Sequence, residues 1–373
     1  MNSIKEAQRL GQDIWLDYIR RGLINSGEFR RYIEQGISGV TSNPTIFEKA
    51  ITGNSDYDES LLPLVRENKD TGEIYEALIL QDIGAAADIL RPIYEDSKGE
   101  HGYVSLEVNP KLAYDTDGTI EEGLRLFAAL NRPNIMIKVP ATAEGVPAIR
   151  RLVAEGINVN VTLLFSLDNY QESANAYIMG LEELAQKNVD VTKVASVVSL
   201  FISRIDTAVD SLLDEHIRQG QEQLKPLRGK AGVATAKLLH QAYKDTFSSE
   251  RFARLKAKGA RVQKPLWAST GTKNPAYSDL LYVEPLIGPN TINTMPPETI
   301  TAFLDHGKVG ATLEEDIPEA RRTFLELEAA GINMESVTGM LLDKGVRSFI
   351  ESFDKLLIGI TEKSGLLKKG QAN

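Results

Sequence analysis

Lys138 has the most unusual surroundings of any polar residue in this chain. It stands in the run Asn134-Ile135-Met136-Ile137-Lys138-Val139-Pro140, with apolar residues on both sides. A short apolar run ended by a proline reads as a buried parallel strand. Lysine is almost never fully buried without a reason, and burial favours the neutral amine over the ammonium. A neutral amine can attack a carbonyl and form a Schiff base. The same lysine could also end the strand and snorkel its ammonium to water.

Other apolar runs carry polar residues toward their C-terminal ends: Asp17, Asn43, Glu107, Asn160 with Thr162, Ser199, and Ser269. Each has a plain explanation alone, Asn43 as a helix cap, Ser199 and Ser269 as turn residues, Asp17 as a surface group at a strand end. Together with Lys138 they supply a lysine, carboxylates, amides and hydroxyls. A Schiff-base enzyme needs that set: an amine for the ketone, an acid/base group to expel water and move protons, and donors for sugar hydroxyls. No metal or cofactor is expected, because the protonated imine is itself the electron sink.

Composition narrows the field. The 373 residues include 42 basic and 52 acidic side chains, a net charge of −10. That balance, without a basic stripe, argues against nucleic-acid binding. There is no cysteine, hence no disulfide, thiolate nucleophile or cysteine zinc site. His101, His216, His240 and His306 are scattered without metal-ligand spacing. P-loop and G-x-G-x-x-G patterns are absent. The polar N-terminus lacks a signal-peptide core, and no run of about 18 apolar residues exists. The expectation is a cytoplasmic protein with neither membrane nor nucleic-acid partners, monomeric or homo-oligomeric.

Short apolar runs alternate with helical patterns, as in a parallel α/β fold. The runs fall at 13–19, 37–43, 103–108, 134–140, 157–164, 194–199, 265–269 and 290–295. With helices between them they suggest a (β/α)8 barrel, whose site is built at the C-terminal strand ends. The expected organisation is a single barrel domain over 1–373. It has helical insertions at about 44–97 and 204–257 and a C-terminal helical extension at about 297–366. Asn25 or Ser26 is expected to cap a helix ending at Gly36. The stretch 278–286 reads as a short helix, with 279–283 as an alternative strand. The tail 367–373 reads as frayed.

Several of these runs carry recognisable motifs. Gly39-Val40-Thr41-Ser42-Asn43-Pro44-Thr45 resembles the Thr-x-Asn-Pro signature of transaldolases. Ile135 to Pro140, with Ala141, Thr142 and Gly145, resembles the segment around their Schiff-base lysine. Asn160 to Ser166 resembles their fifth strand, and Ser199-Leu200-Phe201-Ile202-Ser203-Arg204-Ile205 their sixth. The motifs come in family order, from Asp17 to about Met295, and the length resembles a longer form of the family.

The resemblance implies a reaction and a set of roles. A dihydroxyacetone unit passes from sedoheptulose 7-phosphate to glyceraldehyde 3-phosphate, giving erythrose 4-phosphate and fructose 6-phosphate. Lys138 would be the nucleophile and Asp17 would move the C4 hydroxyl proton. Glu107 and Thr162 would hold the water of the carbinolamine and imine steps. Asn43 and Asn160 would bind the dihydroxyacetone hydroxyls. Ser199, Phe201, Arg204 and Ser269 would shape the sugar and phosphate ends. Many relatives place an arginine two residues after the seventh-strand serine. Here Gly271 takes that place, and Lys273 is the nearest cation. Other readings are an aldolase releasing free dihydroxyacetone, a barrel that binds without catalysis, and a metal-dependent hydrolase. The scattered histidines speak against the last.

Overall fold

A computed structural model of the chain describes residues 2–370. Among these, eight parallel strands close into a barrel in chain order. They are β1 (Gln12–Leu16), β2 (Gly39–Val40), β3 (Tyr103–Glu107), β4 (Ile135–Pro140), β5 (Val159–Leu164), β6 (Ser196–Phe201), β7 (Gln263–Ala268) and β8 (Thr291–Met295). α1 (Ser3–Arg9) precedes β1, and α2 (Arg21–Asn25) and α3 (Glu28–Gln35) follow it. α4 (Pro44–Thr52), α5 (Asp58–Arg66) and α6 (Thr71–Asp96) lie between β2 and β3. α7 (Thr116–Leu130), α8 (Gly145–Ala154) and α9 (Leu167–Gln186) follow β3, β4 and β5. α10 (Ile202–Arg218), α11 (Ala231–Phe247) and α12 (Glu250–Lys256) separate β6 from β7. α13 (Pro297–His306), α14 (Ile317–Ala329) and α15 (Met334–Gly370) come after β8. No helix among the described residues is long and apolar enough to cross a membrane.

The barrel interior is layered by the two-residue period of its strands. Trp15, Met136, Val197 and Ile292 face a cavity at the N-terminal end of the barrel. Two residues further along the same strands, Asp17, Lys138, Ser199 and Thr294 face a separate cavity at the other end. Side chains at i and i+2 share one face of a strand, so an apolar layer underlies the polar one. Gly39 leaves room for that layer, since a Cβ there would lie 2.4 Å from the Trp15 ring.

α15 lies over the C-terminal end of the barrel. Its buried Phe349, Phe353, Leu356 and Ile360 recur at helical spacing, an apolar stripe turned inward. The Phe353 ring meets Tyr75 of α6 edge-on at 5.1 Å, and Thr45 of α4 bonds Ser352 at 2.8 Å. Lys111 pairs with Asp354 at 2.7 Å.

Some local expectations need correction. Neither Asn25 nor Ser26 caps α3; Gly27 does, in the left-handed region at φ 77°. The preceding turn closes as its own short helix, and glycine reverses the chain. The stretch 278–286 is neither strand nor α-helix but turns followed by a 3-10 turn at Glu284–Leu286. Pro285 in that turn cannot donate to a ladder. The tail expected to fray from 367 instead continues α15 to Gly370, and 371–373 lie outside the described residues.

Candidate active site

Parallel pairing aligns Glu107 of β3 with Lys138 of β4, and Lys138 with Asn160 of β5. Lys138 is 3% exposed and Glu107 7%. The Lys138 Nζ lies 3.2 Å from Glu107 Oε2 and donates to the Ser42 carbonyl at 3.0 Å. Apart from that ion-pair contact, Glu107 Oε2 has no hydrogen-bond partner. Burial holds the Glu107 carboxyl above the usual carboxylate range, against the pull of Lys138 and Arg204.

Thr162 sits in an irregularity of β5. The register with β6 shifts between Val161 and Leu164, and Leu163 takes φ 57°. Such a bulge re-aims side chains and is typical of sites under functional constraint. Thr162 Oγ1 is buried without a partner among the described residues. Buried polar atoms are normally paired, so Glu107 Oε2 and Thr162 Oγ1 are positions suited to a water or a substrate group.

Asp17 follows β1 and is anchored by its backbone N–H to the Met295 carbonyl at 2.8 Å. Thr41 Oγ1 donates to Asp17 Oδ1 at 2.7 Å and lies 2.7 Å from Thr294 Oγ1. Because the Thr41 proton points to Asp17, Thr294 is the donor in the second bond. Burial raises the Asp17 carboxyl above its ordinary range, opposed by the Thr41 bond and by Lys138, Lys273 and Arg204. A buried carboxyl raised in this way is suited to gaining and losing a proton.

Asn160 is held at both ends of its amide. It donates to Ser105 Oγ at 3.0 Å and accepts from Ser199 Oγ at 2.7 Å. Asn43 caps α4 by accepting from the Ile46 N–H at 3.0 Å, with Pro44 as the first helical residue. It also lines the Lys138 cavity, so the cap and a binding role are compatible.

The opposite wall is cationic. The Arg204 guanidinium lies 5.0 Å from the Phe201 ring centroid and 5.7 Å from that of Phe349. Neither Asp206 nor Asp210 on its own helix pairs with it. Asp206 accepts from the Gly232 N–H at 2.7 Å; Asp210 accepts from the Gly229 N–H at 2.9 Å and from the Tyr277 hydroxyl at 2.6 Å. Burial pushes Arg204 below its ordinary value, offset by Glu107 and Asp17. Ser269 takes φ 55° after β7 and shares a 2.9 Å hydroxyl contact with Ser203. Lys273 folds back over Gly271, its Nζ 3.7 Å from where a Cβ on residue 271 would stand. Lys273, two positions on, thus brings an ammonium close to residue 271.

The cavity is about 130 Å³ and is lined by Asp17, Asn43, Lys138, Ser199, Phe201, Arg204, Ser269 and Lys273, among others. Glu107, Asn160 and Thr162 belong to the strands beside Lys138 rather than to its lining. All the polar residues singled out in the sequence therefore gather at one barrel end. Sequence reasoning assigned no role to Thr41, Thr294 or Phe349. Thr41 lies inside the Thr-x-Asn-Pro motif, which is a usable signal. Phe349 is 5.7 Å from Lys138 Nζ, and nothing in its local sequence marks it.

Comparison with known proteins agrees with the motifs. A transaldolase of Trichodesmium erythraeum is 47% identical over 370 residues, covering 97% of each chain. A transaldolase of Thiobacillus denitrificans is 48% identical over 361 residues, covering 96% of this chain and 100% of the relative. A protein named transaldolase 2 from Nostoc punctiforme is 45% identical, covering 98% of both. The sequence model of one family, Transaldolase/Fructose-6-phosphate aldolase, matches residues 14–360, from β1 to the last turns of α15. With that match spanning the whole barrel, the chain belongs to the Transaldolase/Fructose-6-phosphate aldolase family.

Proposed function

We propose that the chain is a transaldolase whose covalent intermediate forms on Lys138. The observation that carries this reading is the buried Lys138–Glu107 pair at 3.2 Å, with Lys138 lining a cavity that Asp17 and Arg204 also line. The Lys138 amine attacks the C2 ketone of sedoheptulose 7-phosphate. Glu107 and Thr162 hold the water that leaves as the carbinolamine becomes an iminium. Asp17 takes the C4 hydroxyl proton; the C3–C4 bond breaks, and its electrons flow into the iminium to give an enamine. Erythrose 4-phosphate leaves. The enamine carbon then attacks the aldehyde of glyceraldehyde 3-phosphate, and Asp17 returns its proton to the new hydroxyl. Water adds to the iminium, and fructose 6-phosphate is released from a restored lysine.

Asn43, Asn160 and Ser199 orient the dihydroxyacetone hydroxyls in this scheme. Arg204, Ser269 and Lys273 receive the phosphate, and Phe201 fixes the guanidinium plane. The family description also names a fructose-6-phosphate aldolase, and the second reading is an aldolase that releases the three-carbon unit as free dihydroxyacetone. Product analysis separates the two. Fructose 6-phosphate with erythrose 4-phosphate as acceptor should yield sedoheptulose 7-phosphate and glyceraldehyde 3-phosphate in equal amounts. Free dihydroxyacetone formed at a comparable rate without an acceptor would refute transfer.

A further inference from the structure

Beside the Lys138 cavity runs a wider groove of about 930 Å³ between α10 and α15. The two share Arg204, Ser269 and Lys273, so the groove opens onto the cationic wall of the site. Its far side adds two exposed cations from α15, Lys344 and Arg347. None of Arg204, Lys273, Lys344 and Arg347 is in an ion pair among the described residues. Among the described residues only one carboxylate, Glu351, lines the groove. The chain carries a net charge of −10, so four unpaired cations around one groove run against its composition. Like charges gathered with few counter-charges raise the local concentration of an anion and favour its entry.

The floor of the groove suits a polyhydroxylated chain. Ser203, Thr207 and Ser211 recur every four residues along α10, hence on one helix face, and all three line the groove. Ser348 adds a hydroxyl from α15. Gly345 lets the two walls approach. A Cβ there would stand 2.9 Å from Leu163 Cδ2 and 3.4 Å from Arg204 Nη1. From that point α15 sends Phe349 inward between Lys138 and Arg204, while Lys344 and Arg347 stay at the rim.

We propose that α15 completes the phosphate end of the site, with Lys344 and Arg347 as the outer half of a clasp whose inner half is Arg204 and Lys273. The ligand is the phosphate monoester dianion of an open-chain sugar phosphate, entering between α10 and α15. This rests on the transaldolase reading and deepens it: the C-terminal extension becomes a specificity element for phosphorylated substrates.

The test uses the full chain with K344A, R347A, K344A/R347A and R347K. Two readouts are taken: kinetics with fructose 6-phosphate and with fructose as donors, and calorimetric binding of inorganic phosphate, which needs no turnover. Exposed cations contribute modestly, so each alanine variant should raise the KM for fructose 6-phosphate about threefold and the double variant about tenfold. The loss should fall on KM rather than kcat, and kcat/KM should fall about tenfold more for fructose 6-phosphate than for fructose. Phosphate affinity should drop in parallel, and R347K should recover part of the loss. A double variant of an active enzyme that keeps both KM and phosphate affinity within twofold overturns the clasp and leaves the activity standing. Equal losses on both donors overturn it as well. A wild-type protein without transaldolase turnover, but with phosphate affinity that falls tenfold in the double variant, sinks the activity and leaves the clasp.

Discussion

The two ends of the barrel carry similar residues and use them differently. At the N-terminal end a cavity of about 950 Å³ is bordered by Lys98, Glu100, Arg261 and Lys264. Glu100, Arg261 and Lys264 there are tied into one network. Lys264 pairs with Glu100 at 3.3 Å and Asp13 at 3.8 Å, and Asp13 also meets His101 at 3.0 Å. Arg261 donates to the Lys98 carbonyl at 2.5 Å and to the Tyr103 hydroxyl at 3.2 Å. At the C-terminal end the cavity beside Lys138 is about 130 Å³, yet Arg204 and Lys273 have no ion-pair partner among the described residues. Glu107 and Thr162 each leave a buried oxygen without a hydrogen bond. Size therefore points to one end, while Arg204 and Lys273 beside a buried lysine point to the other. Cations tied to several partners hold the fold, while Arg204 and Lys273, without ion-pair partners among the described residues, are available to a ligand.

The largest effects should come from the two carboxylates. Asp17→Ala should lower turnover by about 10²–10⁴-fold while leaving imine formation intact, so adduct with unbroken ketose accumulates. Glu107→Gln should slow dehydration and hydration by a similar factor and accumulate no such adduct. Rapid-quench mass spectrometry distinguishes the two. More than about a tenth of wild-type turnover in Asp17→Ala would remove Asp17 from its role.

Arg204→Ala should come next. Losing a hydrogen bond to a charged partner costs about 1.5–3 kcal/mol, or roughly 10–150-fold in rate. The loss should fall on fructose 6-phosphate and spare fructose. Equal loss on both would make Arg204 structural and weaken the contrast between paired and unpaired cations.

A stability measurement sharpens the comparison further. Burial raises the Asp17 carboxyl above its ordinary range. Between the unfolded and folded values the native state holds a proton that the unfolded chain has released, so stability falls as pH rises through that window. Asp17→Asn removes this penalty. It should be about 1 kcal/mol more stable than wild type at pH 8, a gain that disappears near pH 4. A variant less stable at pH 8 would show that ionised Asp17 holds the fold. The smallest functional effect should be at the other end. Arg261→Ala should lower stability by about 1–2 kcal/mol while kcat and KM stay within twofold. A tenfold change in the KM for fructose 6-phosphate would break the division of labour between the two ends.

Much of this site was legible because its strands are short apolar runs with one polar interruption near the end. Lys138, Glu107, Asn160 and Ser199 stand out against Ile, Val and Leu, and a buried strand leaves few other uses for them. β2 was less legible, since it is only Gly39–Val40 and owes its place to the packing of Trp15 against Gly39. Thr41 was visible as a motif residue, but its bond to Asp17 joins the ends of β1 and β2, and its contact with Thr294 of β8 depends on barrel closure. Phe349, Lys344 and Arg347 were not legible. They sit on an ordinary amphipathic helix about two hundred residues from Lys138, and only the docking of α15 brings them to the site. The turn at Gly27 and the irregular stretch before β8 were missed because helix and turn chemistry overlap over so few residues.

The central claim is that one buried strand lysine, Lys138, carries the covalent intermediate. Borohydride reduction of the protein with fructose 6-phosphate, followed by peptide mass spectrometry, tests it directly. The account predicts a reduced three-carbon adduct on the peptide containing Lys138, none on other lysines, and none in Lys138→Ala, which should also lack turnover. An adduct on another lysine, or full activity in Lys138→Ala, would contradict it.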